Sequence, residues 1–279
     1  MTYYRSDPRW IRLVMKERKM AFQKRFGQHF LHDNNILEKI THAMDPQKED
    51  VLLEIGPGIG TLTERLLPFS GKYIAVEIDR KFCEILEEAF GKEEHFQLIE
   101  GDILKTDLST IPPNAKVLGN LPYYITSAII MHFLEGNYSW KSLTFMMQKE
   151  VAERIIAAVG TKEYGVLSVI TRSLSVPEIL FTISPGAFYP PPKVESALVR
   201  FMPKKTTLPE GLIPLIKASF ASRRKTIHNN LKGIIEPEAL SSAFEKTGIS
   251  ASERAERLAP EDFRRLFEAI EESRRSLGR

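Results

Sequence analysis

The sequence predicts an α/β fold, an open parallel sheet with helices on both faces, followed by a small all-helical domain. Three observations carry this. Apolar runs of strand length alternate with helical stretches from about residue 34 to residue 202. The first of those runs, Val51 to Ile55, breaks into Gly56-Pro57-Gly58-Ile59-Gly60, and Thr61 opens a helix directly. Beyond residues 203–209, which read as a linker, the strand-like runs stop and the pattern is helical over 211–222, 223–232, 237–247 and 260–273. The expected division is a basic N-terminal arm over 1–20, a sheet domain over 21–205 and a helical domain over 206–279.

With 279 residues, 43% of them hydrophobic and 27% charged, the chain has the composition of a soluble globular protein. No apolar run approaches the ~18 residues of a membrane-spanning helix, and the polar, charged first residues lack the apolar core of a secretory signal. A single cysteine, Cys83, excludes an internal disulfide and a cysteine-based zinc site, and fits a reducing, cytoplasmic compartment. The six histidines show no metal-binding spacing, so no metal is expected. Net charge is +3 but uneven: residues 1–28 carry eight Lys and Arg against two acids, and the middle of the chain is acidic. That asymmetry predicts a polyanionic partner approaching from one side.

In chain order, Arg5, Arg9, Arg12 and Lys16 recur at near-helical spacing with Trp10, Ile11, Leu13 and Val14 between them. This reads as a basic amphipathic helix or a disordered arm; Asp7 and Glu17 count against a transit peptide. Lys24-Arg25-Phe26-Gly27-Gln28-His29-Phe30-Leu31 mixes cations, aromatics and a glycine hinge. It suits a segment that folds over a ligand while Lys24 and Arg25 touch phosphate; alternatively Phe26, Phe30 and Leu31 only anchor the arm. Asn34 to Met44 reads as a helix with Ile36, Leu37, Ile40 and Ala43 on one face. In the glycine-rich turn a dinucleotide fingerprint needs glycine at 61, where threonine stands. The turn therefore lets a ligand approach the backbone without being a pyrophosphate site. After a second strand, Tyr73 to Asp79, Glu77 falls where a carboxylate takes both ribose hydroxyls. After a third, Phe96 to Ile99, Asp102 can accept from an adenine amino group with Ile103 beside the ring. The nucleoside of S-adenosylmethionine fits all three strand ends, and its lack of phosphate explains the absence of a basic residue in the glycine-rich loop.

The next apolar run, Lys116-Val117-Leu118, ends in Gly119-Asn120-Leu121-Pro122-Tyr123-Tyr124. Such strand ends are where ligands sit in open α/β sheets. The exocyclic nitrogen of adenine is a poor nucleophile because its lone pair is delocalised into the ring. Two acceptors on its two hydrogens favour a tetrahedral nitrogen with that pair freed. Asn120 Oδ1 and the Leu121 carbonyl, stiffened by Pro122, suit the task, and Tyr123 offers a flat face for the base. Further strands are expected over 143–147, 176–181 and 195–202, with helices over 149–159 and 164–174. Before the last strand, Phe188-Tyr189-Pro190-Pro191-Pro192-Lys193 forms a stiff loop whose Phe188 either stacks on the second face of a base or plugs the core. In the helical domain, Arg223-Arg224-Lys225-Thr226 places three cations at an expected helix start, against the macrodipole, which an anionic partner such as RNA phosphate relieves.

Taken in order from Lys24 to the end, these motifs resemble the small-subunit ribosomal RNA adenine-N6,N6-dimethyltransferases. The resemblance rests on Lys24 to Leu31, Glu54-Ile55-Gly56-Pro57-Gly58, Glu77-Ile78-Asp79 and Gly101-Asp102. It continues through Asn120-Leu121-Pro122-Tyr123, Gln148-Lys149-Glu150-Val151, Phe188 to Val194, and Arg223 to Thr226. It implies a Rossmann-like S-adenosylmethionine-dependent methyltransferase domain. The cofactor would be held by Gly56, Gly58, Glu77, Asp102, Ile103 and Asn120, with His29 and Leu31 closing over it. It also implies a flipped adenine stacked by Tyr123 and Phe188, and rRNA phosphates on Lys24, Arg25, Arg223, Arg224 and Lys225. Members modify two adjacent adenosines near the 3′ end of 16S rRNA during small-subunit assembly, which implies a monomeric cytoplasmic enzyme here. His29 stands where many relatives carry asparagine, and the arm 1–20 lies outside the match. Two other readings share the fold: an erythromycin-resistance methyltransferase acting on large-subunit rRNA, disfavoured by Arg223 to Thr226, and a non-catalytic nucleic-acid-binding assembly or transcription factor, disfavoured by the complete set of site residues. A DNA adenine methyltransferase fits Asn120 to Tyr123 but not the helical domain.

Overall fold

The computed structural model describes residues 5–20, 29–136, 138–276 and 278; Lys24 and Arg25 lie outside them. The arm is a helix, α1 (Pro8–Glu17). The Asp7 side chain accepts from the Arg9 N–H at 2.8 Å and Pro8 presets the first turn. Ile11 and Met15, one turn apart, are buried, while Arg9, Arg12 and Lys16 face outward. The amphipathic reading of residues 8–17 therefore holds over the disordered one.

There follow β1 (Phe30–Leu31), α2 (Asn34–Met44), β2 (Val51–Ile55), α3 (Thr61–Leu66), β3 (Lys72–Glu77), α4 (Arg80–Phe90), β4 (Phe96–Glu100), β5 (Ala115–Asn120) and α5 (Thr126–Glu135). Next come β6 (Trp140–Gln148), α6 (Lys149–Ile156), α7 (Val166–Leu174), β7 (Ser175–Ile183), β8 (Phe188–Tyr189) and β9 (Ser196–Pro203). The last helices are α8 (Leu212–Ser219), α9 (Ile227–Leu231), α10 (Pro237–Thr247) and α11 (Pro260–Ser276). Seven strands form one sheet in the order β4-β3-β2-β5-β6-β9-β7. It is parallel from β4 to β6, but β9 lies antiparallel to β6, with Thr144 opposite Arg200. An all-parallel sheet was the expectation; an antiparallel neighbour needs no crossover helix. Chain order reverses direction between β2 and β5, so a crevice opens beyond their carboxyl ends. A separate two-stranded ribbon pairs β1 with β8, Leu31 opposite Phe188. Beneath the crevice, Leu37, Ile40, Leu52, Leu66, Tyr73, Leu118 and Phe188 belong to one apolar core.

The packing divides the chain into two compact units. One takes in the described residues up to Ala152 with Glu178–Pro203, the other Glu153–Pro177 with those from Lys204 onward. The expected boundary at 205/206 puts 153–177 with the sheet, whereas the packing groups them with the second unit. Tyr164 shows why: fully buried, it donates its hydroxyl to the Leu258 carbonyl at 2.9 Å, and Arg223 donates to the Tyr164 carbonyl at 2.9 Å. Within that second unit the helix expected over 223–232 begins only at Ile227. Thr226 caps it, its Oγ1 accepting from the Asn229 N–H at 3.2 Å, so Arg223, Arg224 and Lys225 stand in a turn before the helix. The conflict with the macrodipole is removed by leaving the cations out of the helix.

Candidate active site

The crevice is a pocket built entirely within the first unit. It is lined by the loops after β2, β3, β4 and β5 and roofed by residues around β1. Gly56, Gly58 and Gly60 all have positive φ, which keeps the loop after β2 tight. A Cβ at Gly58 would come within 3.0 Å of the Phe30 ring, so the loop lies directly against the roof.

Glu77 ends β3 and is 5% exposed. One carboxylate oxygen accepts from the Gly58 N–H and the other from the Asp79 N–H, each at 2.9 Å. Burial raises its pKa, against the pull of those two backbone donors. Each oxygen keeps a lone pair for a ligand hydroxyl. Asp102 turns its own loop, Oδ1 accepting from the Leu104 N–H at 3.0 Å, and Ile103 lines the wall beside it. Asn120 donates Nδ2–H to the His29 carbonyl at 2.8 Å. Its Oδ1 and the Leu121 carbonyl have no partner among the described residues. The Leu121 N–H is tied to the Met146 carbonyl at 3.0 Å, and Pro122 fixes the chain beyond. His29 is also held through Nδ1 to the Pro190 carbonyl at 2.6 Å, and its ring stacks on Tyr123 at 5.9 Å between centroids. The Tyr123 hydroxyl bonds Ser196 Oγ at 2.9 Å.

The pocket thus gathers His29, Leu31, Gly56, Gly58, Glu77, Asp102, Ile103, Asn120 and Pro122, with Tyr123 behind them. Leu121 and Phe188 are not among the lining residues. Phe188 is 2% exposed and packs in the core opposite Leu31. Arg223, Arg224 and Lys225 belong to the other unit. All three are exposed, and Arg223 also donates to the carbonyls of Lys162 and Tyr164.

Three lining residues carry functional potential that their sequence context hides. Glu54 lies inside β2 and is 2% exposed; Thr63 Oγ1 donates to it at 2.5 Å and the Tyr73 hydroxyl at 2.7 Å. Burial raises its pKa to about 7, partly offset by those bonds. Its signals are an acid inside an otherwise apolar strand and its place at the head of the Glu54 to Gly58 motif. Thr61 Oγ1 is buried without a hydrogen-bond partner among the described residues. Tyr124 lines the mouth and is 59% exposed.

The family model for ribosomal RNA adenine dimethylase matches residues 19–272. The chain belongs to this family. It is 40% identical over 253 residues to the ribosomal RNA small subunit methyltransferase A of Coxiella burnetii, covering 88% of this chain and 96% of that protein. Among solved structures it is similar to a dimethyladenosine transferase from Plasmodium falciparum, with TM-score 0.79, 27% identity, and 88% and 98% of the two chains covered. It is also similar to the 23S rRNA methyltransferase ErmE, with TM-score 0.65, 26% identity, and 87% and 99% covered. The protein is an rRNA adenine dimethyltransferase that uses S-adenosylmethionine. The pocket fits that cofactor on two counts. The orphan Thr61 hydroxyl awaits a polar ligand, and the strand-end acids match a cationic, phosphate-free nucleoside. Among the described residues no helix is long and apolar enough to cross a membrane, and no cluster of His, Cys, Asp or Glu is arranged for a metal ion.

Proposed function

We propose that the enzyme dimethylates N6 of two adjacent adenosines near the 3′ end of 16S rRNA, within the assembling small subunit in the cytoplasm. The observation that supports its chemistry best is a pair of acceptors from consecutive residues at the carboxyl end of β5, Asn120 Oδ1 and the Leu121 carbonyl, without partners among the described residues; Asn120 lines the pocket. They take the two hydrogens of the target amine and free its lone pair, and Tyr123 bears the base. No general base is needed before attack, because the amine loses its proton readily once alkylated. Glu77 and Asp102 hold the ribose and adenine of the cofactor, which when bound supplies an electrophilic methyl. After the first transfer one N–H remains, so one acceptor must release its hydrogen and tolerate a methyl. The exposed Arg224 and Lys225 meet RNA phosphate. Neutralising either side chain should lower the log–log salt slope of RNA binding by roughly 0.7–0.9.

The name of the Coxiella relative supports the small subunit as substrate. The test is incubation with labelled S-adenosylmethionine and unmodified small subunits, then mass spectrometry of the RNA. Dimethyladenosine at neighbouring positions near the 3′ end is expected. A dominant product on a large-subunit adenine would instead favour the activity named for the ErmE structure.

A further inference from the structure

The arm contributes nothing to the family match before residue 19, yet it reaches the walls of the cofactor pocket. Ile11 and Met15 of α1 pack in one cluster with Phe30, Ile59, Phe82 and Ile85. Of these, Phe30 and Phe82 line the pocket, and Ile59 lies inside the glycine-rich loop. Just before the helix, the Arg5 guanidinium donates to the Ile59 carbonyl at 2.7 Å. The same guanidinium lies 5.0 Å from the Trp10 ring centroid and 4.7 Å from that of Phe90. Phe90 in turn touches the loop: a Cβ on Gly60 would come within 2.7 Å of its ring. At the far end, α1 is tied to α4, where Arg18 pairs with Glu88 and Lys81 Nζ reaches the Arg18 and Lys19 carbonyls.

The loop is therefore held from two sides. Glu77 accepts the Gly58 N–H from within the sheet, and Arg5 grips the next residue's carbonyl from the arm. Three glycines at positive φ give this loop many alternative conformations, so a strap that selects one has a large effect on ligand affinity. We propose that the segment Arg5–Glu17 is a positioning element for S-adenosylmethionine binding, acting through the Arg5 bond to Ile59 and the packing of α1 on Phe30 and Phe82. The proposal rests on the pocket being the cofactor site. By linkage, a bound cofactor must in turn tighten the docking of α1.

The test is calorimetric titration of the full-length protein with S-adenosylmethionine, beside hydrogen exchange of the wild type with and without it. Arg5→Met should raise the Kd about tenfold, the scale of one missing charge-assisted bond. The kcat at saturating cofactor should stay close to wild type, so the defect falls in KM for the cofactor. Arg5→Lys should recover part of the affinity, and Lys39→Met, which removes an exposed cation of α2 outside this segment, should bind as wild type does. In the wild type, amides of α1 should exchange more slowly when cofactor is bound. This arm of the experiment decides the matter if Arg5→Met fails to fold. An unchanged Kd in folded Arg5→Met, an equal loss in Lys39→Met, or α1 amides indifferent to cofactor overturns the proposal alone. A wild type that takes up no cofactor overturns the pocket assignment and the proposal with it.

Discussion

The two ends of the sheet obey opposite rules. At the amino ends of β2, β5 and β6 the charges are mutually saturated. Asp50, just before β2, pairs with Lys116 of β5 and Lys141 of β6, each at 2.7 Å. The Lys116 ammonium also donates to the Met44 carbonyl at 2.9 Å and the Asp45 carbonyl at 2.5 Å, and the Gln47 N–H donates to Asp50 at 2.9 Å. Burial pushes the Asp50 pKa up, but these donors together hold it below the ordinary carboxylate value. At the carboxyl ends of β2 and β5, Asn120 Oδ1, the Leu121 carbonyl and Thr61 Oγ1 lack partners among the described residues. Unmet polar groups are costly to a folded chain unless a ligand completes them. One end of each strand is finished by the fold and the other is left for the substrate and cofactor.

That contrast breaks in a defined way if either end is altered. Lys116→Met leaves Asp50 with the half-exposed Lys141 and the Gln47 N–H, and should destabilise the protein by about 3–5 kcal/mol in urea denaturation. The folded fraction should bind S-adenosylmethionine with unchanged affinity. Asn120→Ala should do the reverse, dropping kcat by roughly 10²–10³-fold, as loss of a preorganised polar group does, with little change in melting temperature. Cofactor binding must be titrated separately, since Asn120 also holds the His29 backbone. Wild-type turnover in this variant would remove Asn120 from the chemistry.

Glu54 sharpens the comparison through pH. Its folded pKa, about 7, stands above the ordinary glutamate value of 4.5. Between those values the unfolded chain has released a proton that the folded chain keeps. Stability from this group is therefore greatest at low pH and falls as pH rises from about 4.5 to about 7, by roughly 3 kcal/mol, then levels off. Glu77, raised in the same direction by burial, adds to the trend. Subtracting the stability–pH curve of Glu54→Gln from that of wild type should isolate the Glu54 part, and a flat difference would show that burial does not hold its proton. Because the cofactor is cationic, its affinity should rise as pH approaches about 7, where Glu54 ionises in the folded protein.

Much of this is legible in the residues. Apolar runs ending in glycine, acid or Asn-Leu-Pro mark the strands and the pocket's chemistry, because those strand ends converge wherever sheet order reverses. The dipeptide strands β1 and β8 are not legible: two residues carry no periodicity, and their pairing is fixed by tertiary structure. Phe188 stands between two roles that sequence alone leaves equal, and its burial opposite Leu31 comes from tertiary packing that no local pattern carries. The shift of 153–177 into the helical unit rests on Tyr164 meeting Leu258, 94 residues away, which no local pattern carries. Arg5 looks like one cation in a solvated run, since nothing in its neighbours announces the Ile59 carbonyl.

Thr61 offers the smallest effect and the cleanest test of the unfinished end. Its position is where a pyrophosphate-binding turn would carry glycine, and its hydroxyl is buried without a partner among the described residues. Valine has nearly the same shape and no hydroxyl. If the orphan oxygen is a cost to the empty protein, Thr61→Val should raise the stability of the cofactor-free form by about 1 kcal/mol. If the same oxygen is completed by the cofactor, the substitution should weaken S-adenosylmethionine binding, roughly five- to tenfold. The two effects carry opposite signs, which a general packing defect cannot produce, since that would lower both stability and affinity. Melting of the empty protein and calorimetric titration, run on one preparation, separate the cases. A gain in stability with unchanged affinity would mean that the hydroxyl faces no ligand group, and the fit between this wall and the cofactor would have to rest on Glu77 and Asp102 alone.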